Sequence, residues 1–331
     1  YNQSTNITEC WNGTVPFFND TINPPMFWLD GTANMTMYSN QSPLNISNIA
    51  VVVAGTLTAT FSDAPLSTAP FVVGDYINIS NVNNYFNGVF RVTACDVNTV
   101  TYTATASASY PVGTTGTVAP QYTWNYNPYW SQVTAQFMRM YNSPNVGSIL
   151  VAGGLTATLL DGVTQVTYPV TVQWSQAFGL NSAPLTWTPT VVNIANQLEV
   201  PLRGPAIDAF PCGGQFFLCS YWDTVVFSPI NYATTSAPIL GVRLFTQGRG
   251  LLTSNAFAIA DDKVYGIDAR DIWVFDGQSF TGIGNQRVKN WFYDQLDPTY
   301  VNRLFVKTNT EKNQVEIYYT THGTSDGVPN K

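Results

Sequence analysis

Charge is the scarcest property of this chain. Of its 331 residues, 10% are Asp, Glu, Lys or Arg, against about 25% in an average globular domain. Charged outer faces for many solvent-exposed helices cannot be assembled from so few residues, which excludes a mostly helical protein. There is one histidine, His322, in a Thr/Gly/Ser/Asp-rich tail, which reads as a loop histidine; multi-His metal sites are closed off, and any His-dependent triad would rest on that one residue. The four cysteines, Cys10, Cys95, Cys212 and Cys219, are too few for a disulfide scaffold. The spacing of the last two is not that of a zinc knuckle, leaving buried thiols or a single disulfide. No apolar run approaches the roughly 18 to 20 residues of a membrane span, and residues 1–10 do not resemble a signal peptide. The first residue is Tyr1, and we expect the chain to continue beyond both ends of this sequence.

Chemistry-bearing motifs are equally sparse. Gln247-Gly248-Arg249-Gly250 lacks the Lys-Ser/Thr of a phosphate loop, Gly282-Ile283-Gly284 does not continue into a dinucleotide fingerprint, and the one G-x-S-x-G match, Gly323 to Gly327, lies in the Thr/Gly/Ser/Asp-rich tail without the strand-turn-helix pattern of a nucleophile elbow. The densest acidic cluster is Asp261, Asp262, Asp268, Asp271 and Asp276. A carboxylate pair among these would suit a propeller glycosidase, with Asp261, Asp262 and Asp271 as the residues to test. Each sits at an expected hairpin turn or strand end, where Asp is favoured for local hydrogen bonds, so we read them as turns. The sequence thus points to no enzyme, no catalytic residue, no cofactor and no metal.

What the chain has is 45% apolar and 14% aromatic residues, with polarity supplied by Thr, Asn, Ser and Gln, a composition that suits pleated, half-buried surfaces. The reading is all-β. Net charge is −7, unevenly spread: residues 1–202 carry eight acids and two bases (−6), residues 203–331 twelve acids and eleven bases (−1). Neither part has a basic footprint for tight nucleic-acid binding, whereas a weakly charged wall would let DNA slide past. Eight N-x-S/T triplets begin at Asn2, Asn6, Asn12, Asn19, Asn34, Asn40, Asn45 and Asn78, as chance produces in a chain rich in these residues.

Residues 1–49 read as an extended arm, rich in Asn, Pro and aromatics, together with the first part of a larger body. Residues 50–120 change to short alternating runs (LTATF, FVVGDYINIS, NGVFRVTA, TVTYTATA), the pattern of an inserted small β-sandwich or barrel. They end in ATASASYPVGTTGTVAP, a loose hairpin or linker. Residues 121–331 resume the body. There AFPCGGQFFLCSYWDTVVF can be laid on AFAIADDKVYGIDARDIWVF, matching Phe210 to Phe257, Asp223 to Asp271 and Phe227 to Phe275. SILVAGGLTAT with YPVTVQWS reads as a fainter earlier copy, and RLFVKTNTEKNQVEIYYTT as a later one turning near Lys312 and Asn313. A period near 48 residues with hairpins inside is the size of a β-propeller blade. TAQFMRMYNSP reads as a short helix, and residues 286–296 as a helix with Val288, Trp291, Phe292 and Leu296 on one face, closed by Asp297-Pro298.

Aromatics concentrate outside the clean repeats, at Trp11, Phe17, Phe18, Phe27, Trp28, Trp124, Tyr126, Tyr129 and Trp130. Three uses are open: packing of the arms on their own body, stacking against sugars, or anchoring a subunit interface. The candidate interface anchors are Trp11, Phe18, Phe27, Trp28, Trp124, Tyr129, Trp130 and, on the late helix, Trp291.

WNGTVPFFNDTINPPMFW resembles the amino-terminal part of the tail nozzle, or tail tubular, proteins of short-tailed bacteriophages. GRGLLTSNAFAIADDKVYGIDARDIWVFDGQSF, QRVKNWFYDQLDP and RLFVKTNTEKNQVEIYY resemble their carboxyl-side propeller. The resemblance covers about 110 residues closely and about 60 more loosely, through the order of several blocks. It implies a structural subunit of the virion tail, six copies of which form a ring extending the DNA-ejection channel. Its partners would be the tail adaptor, tail fibres and genomic DNA passing without specific binding, and the family carries no catalytic residues. The insertion departs from the family's core pattern. The alternative is a carbohydrate-binding tail adhesin, or receptor-binding protein.

Overall fold

A computed structural model describes residues 6–29, 34–53, 55–83, 86–104, 115–124, 127, 129–143, 147–230, 240–324 and 327–330. The protein is all-β, with a propeller-like body of four-stranded antiparallel sheets and a closed six-stranded barrel inserted into it. The first sheet holds β1 (Thr8–Asn12), β2 (Val15–Asn19), β3 (Met26–Phe27) and β4 (Thr36–Met37). The barrel follows, with β5 (Leu44–Val53), β6 (Thr56–Phe61), β7 (Tyr76–Ser80), β8 (Gly88–Cys95), β9 (Thr99–Thr103) and β10 (Gly116–Pro120), closing in the order β10-β5-β6-β9-β8-β7.

The second sheet is β11 (Trp130–Ser143), β12 (Gly147–Leu159), β13 (Gln165–Trp174) and β14 (Asn196–Glu199). The third is β15 (Asp208–Cys212), β16 (Gln215–Cys219), β17 (Asp223–Pro229) and β18 (Leu240–Gln247). The fourth is β19 (Phe257–Ala260), β20 (Lys263–Ile267), β21 (Ile272–Phe275) and β22 (Phe280–Gly282). After α1 (Gln286–Gln295) and a 3-10 helix (Pro298–Arg303), β23 (Phe305–Asn309) and β24 (Gln314–Tyr318) form a hairpin. The first strands of the sheets lie side by side, β1 against β11, β11 against β15 and β19 against β23, as the inner strands of a propeller do.

Alternation along the strands explains the stacking. In β16, Phe216 and Leu218 face the second sheet, in a core shared with Phe137, Tyr141 and Trp174. Phe217 and Cys219 face the fourth sheet, with Phe210, Trp273 and Phe275. A strand covered on both faces reads as an unbroken apolar run, here FFLC. The core between the first and second sheets holds Phe17, Phe27, Trp124, Met138 and Trp187, and the barrel encloses a separate one around Leu57, Ile77, Val100 and Tyr102.

Several expectations need correction. The amino-terminal segment, read as an extended arm with the first part of the body, forms a four-stranded sheet of β1 to β4, and the barrel begins at Leu44 and not at residue 50; β3 and β4 have two residues each, too short to leave a period. In TAQFMRMYNSP, residues 134–143 are not a helix but the last ten residues of β11, paired from Thr134↔Thr156 to Ser143↔Gly147, and Pro144 lies outside the described residues. Its Ala, Gln and Met favour helix locally, and cross-strand pairing with burial of Phe137 and Met138 overrides that preference. The unit read as starting at SILVAGGLTAT therefore starts one strand earlier, with β11. Helix α1 buries Phe292, and Leu296 just after it is buried too, while Val288 and Trp291 stay 46% and 54% exposed. In the low-complexity stretch, residues 105–114 lie outside the described residues and 116–120 form β10 of the barrel.

Candidate functional site

The residues that link the sheets are polar, and they centre on Arg139. This side chain leaves β11, the inner strand of the second sheet, and donates through Nε and Nη2 to both carboxylate oxygens of Asp208 at the start of β15, at 2.8 and 2.6 Å. Nη2 also donates to Asn255 Oδ1 at 2.7 Å, ahead of β19, and Nη1 to the Glu9 carbonyl of β1 at 2.9 Å. Asp208 is fully buried and takes a further hydrogen bond from the backbone N of Asn255 at 2.8 Å. One guanidinium thus ties four sheets together. Burial alone would lower the arginine's pKa, but the charge and hydrogen bonds of Asp208, with smaller contributions from Cys10 and Glu9, together outweigh it and the pKa moves up. The apolar run around Arg139 was the available signal: a cation in a buried strand needs a carboxylate partner. The partner is far away in sequence, which hid it.

A second arrangement recurs along the chain. At the β16–β17 corner, Ser220 N donates to the Asp223 carbonyl at 2.8 Å, and Ser220 Oγ accepts from Asp223 N at 2.9 Å. At the β20–β21 corner, Asp268 N donates to the Asp271 carbonyl at 3.1 Å, and Asp268 Oδ1 accepts from Asp271 N at 2.8 Å. An arginine from the preceding connection clasps each: Arg203 on Asp223 at 2.6 Å, and Arg249 on Asp268 at 2.9 Å and Asp271 at 3.2 Å. Lys289 of α1 adds a contact to Asp271 at 3.3 Å. Hydrogen bonds from Arg203 are the first cause of a lowered pKa at Asp223. Gly250 follows Arg249 for a steric reason, since a Cβ there would meet the Ser220 carbonyl oxygen at 2.1 Å.

Of the acidic cluster only Asp268 and Asp271 meet, on Arg249. Asp261 and Asp262 are exposed in the β19–β20 turn with φ of 50° and 59°, while Asp268 and Asp271 sit at the other end of β20. Asp276 accepts from the backbone N of Gln278 and Ser279, at 2.9 and 2.8 Å. Asp261, Asp262 and Asp276 thus serve as turn residues, while Asp268 and Asp271 shape their corner and are also paired with Arg249. All four cysteines are free thiols; Cys212 and Cys219 lie at opposite ends of the β15–β16 hairpin, and burial pushes the Cys219 pKa up to about 12. Two of the N-x-S/T triplets hold structural asparagines: Asn12 donates to the Gly179 and Ser182 carbonyls at 2.7 and 3.0 Å, and Asn19 to that of Ala135 at 3.0 Å.

The aromatic candidates divide. Phe27 and Trp124 are fully buried and Trp130 is 6% exposed, so none of the three is available as an anchor for a neighbouring subunit. Trp124 donates from Nε1 to the Val133 carbonyl at 2.8 Å and meets Trp187 edge-on at 4.5 Å. The irregular segments around these rings carry no periodicity to mark them as core, yet they fill the core between the first two sheets. Phe18 is half-buried. Trp11, Trp28, Tyr129 and Trp291 are 57%, 47%, 71% and 54% exposed, and Tyr126 lies outside the described residues.

No family profile matches this chain, and no curated protein sequence matches it. The architecture defines the class: a propeller-like all-β body carrying a small inserted barrel.

Proposed function

We propose that this chain is a non-enzymatic structural subunit of a short-tailed phage tail, assembling with copies of itself, in a ring of six by the resemblance, around the DNA-ejection channel. The observation that carries the reading is the exposure of Trp11, Trp28, Tyr129 and Trp291, joined by Trp222 at 47% and Phe305 at 37%, which the sequence reading had not singled out. Exposed Trp and Tyr are the residue types that anchor protein interfaces. The sequence resemblance supplies the identity of the assembly.

The axis of the body supports the same geometry. Arg139, Asp208 and Asn255 cross-link the inner strands there, and on this reading the conduit for DNA would run between copies and not through one chain. Arg139, Arg203 and Arg249 are each held by carboxylates, which leaves them poor ligands for phosphates and suits DNA that passes without sticking. The barrel would stand on the outer side, facing the adaptor, fibres or host.

Native mass measurement with imaging of the assembly tests the proposal. The expected result is a closed ring with an open channel, disrupted by Trp11→Ala with Trp291→Ala. A monomer, or a compact trimer without a channel, overturns it.

A further inference from the structure

A second surface is built for a different purpose. Between the β2–β3 turn and the outer ends of β11, β12 and β13 lies a cavity of about 270 Å³, lined by Gln132, Thr134, Thr156, Thr158 and Gln165 from the strands, with Thr21 and Ile22 from the turn. No charged side chain lines it. The strand residues form two cross-strand rows, Gln132↔Thr158↔Gln165 and Thr134↔Thr156↔Thr167. Neighbouring strands are about 4.8 Å apart, so the rows make a regular grid of amide and hydroxyl groups. None of the side chains of Gln132, Thr134, Thr156, Thr158 and Gln165 is engaged by another group among the described residues.

The turn facing this grid is held in place. Asp20 Oδ1 accepts from the backbone N of Ile22 at 3.0 Å and of Asn23 at 2.8 Å, and Asp20 Oδ2 accepts from Asn23 Nδ2 at 2.7 Å. The clasp fixes Thr21 at φ 66°, a left-handed conformation that is strained for a β-branched residue and is tolerated where surrounding contacts impose it. Ile22 is 51% exposed and gives the cavity its one large apolar surface.

We propose that this cavity binds an uncharged saccharide. Free hydroxyls and amides, each able to donate and accept, match a polyhydroxylated ring. The isoleucine offers a surface to its C–H face, and the absence of charge selects against phosphates and cations. The volume lies just below the usual range for small-ligand sites, which begins at about 300 Å³, and suits a short glycan segment. The site rests on its own lining and holds whether or not the chain assembles into a ring.

The test uses the whole chain with three uncharged probes, maltohexaose, cellohexaose and N-acetylchitohexaose, and one anionic probe, an oligogalacturonate, by saturation-transfer NMR and calorimetry. We expect at least one uncharged probe to bind, the anionic one not to, and Thr134→Val with Thr156→Val to weaken binding by about tenfold or more. Thr21→Gly removes a hydroxyl and relieves strain, so it should weaken binding without lowering the thermal midpoint; it serves if the valine variant folds poorly. Val192→Ala, at a position 90% exposed and outside the lining, should leave binding unchanged. No binding of any uncharged probe at millimolar concentration, preference for the anionic probe, or equal binding by wild type and folded variants would each overturn the proposal.

Discussion

Arg139 Nη2 lies 2.6 Å from Asp208 Oδ2, joining the inner strands of the second and third sheets. The carboxylate is fully buried and the arginine side chain is 12% exposed, so the pair is worth most as a matched set. Arg139→Met leaves Asp208 buried without its cation and should destabilise the chain by roughly 3 to 5 kcal/mol. The double variant with Asp208→Asn should recover part of that loss. Chemical denaturation of the single and double variants checks this; additive losses would show that the two residues are not coupled.

Asp223 makes acid stability depend on one clasp. Its pKa is lowered in the folded state, first by hydrogen bonds from Arg203. The unfolded chain therefore binds the proton more readily. The stabilisation is complete above the unfolded pKa of about 3.9 and is lost as pH falls through the folded value. Asp223→Asn should flatten part of the fall in urea midpoint below about pH 4, leaving the share due to other carboxylates with lowered pKa values, such as Glu316.

Trp124 and Trp11 should behave in opposite ways. Trp124→Ala empties a fully buried site and strands the Val133 carbonyl, at a cost of about 3 to 5 kcal/mol. Trp11→Ala removes a ring that is 57% exposed and should change monomer stability by about 0.5 kcal/mol or less. Thermal melts of the two variants make the comparison.

The barrel should be separable from the body. Its two stems meet where Ser39 N donates to the Tyr122 carbonyl and Trp124 N to the Ser39 carbonyl, both at 3.0 Å, and its core is its own. Replacing residues 42–120 by a short glycine-serine linker should leave a folded body, and residues 42–121 alone should give a cooperative unfolding transition. Loss of near-ultraviolet circular dichroism in the shortened body would show that the stems depend on the barrel.

Much of the architecture was legible because it is local. The low charge, the alternation in TLTATF and TVTYT, and the turn residues at Asp261, Asp262 and Asn313 all report on a strand and its immediate neighbour, and the match of Phe210 to Phe257 reports on a repeated strand-turn-strand unit. Composition and period determined an all-β body of blade-sized repeats with a different β module inserted. The aromatic residues show where that reading stops. Trp28 and Trp124 sit in similar Asn/Pro-rich segments, yet one is 47% exposed and the other buried, because only packing between the first two sheets distinguishes them. The same holds for β11, helical in its local preferences and held extended by β12. It holds also for Arg139, whose partners Asp208 and Asn255 lie 69 and 116 residues away. Only the tertiary structure decided which rings face outward, which carboxylate meets which arginine, and that Thr21 faces the Gln132 and Thr134 rows, since each depends on contacts between segments distant in the chain.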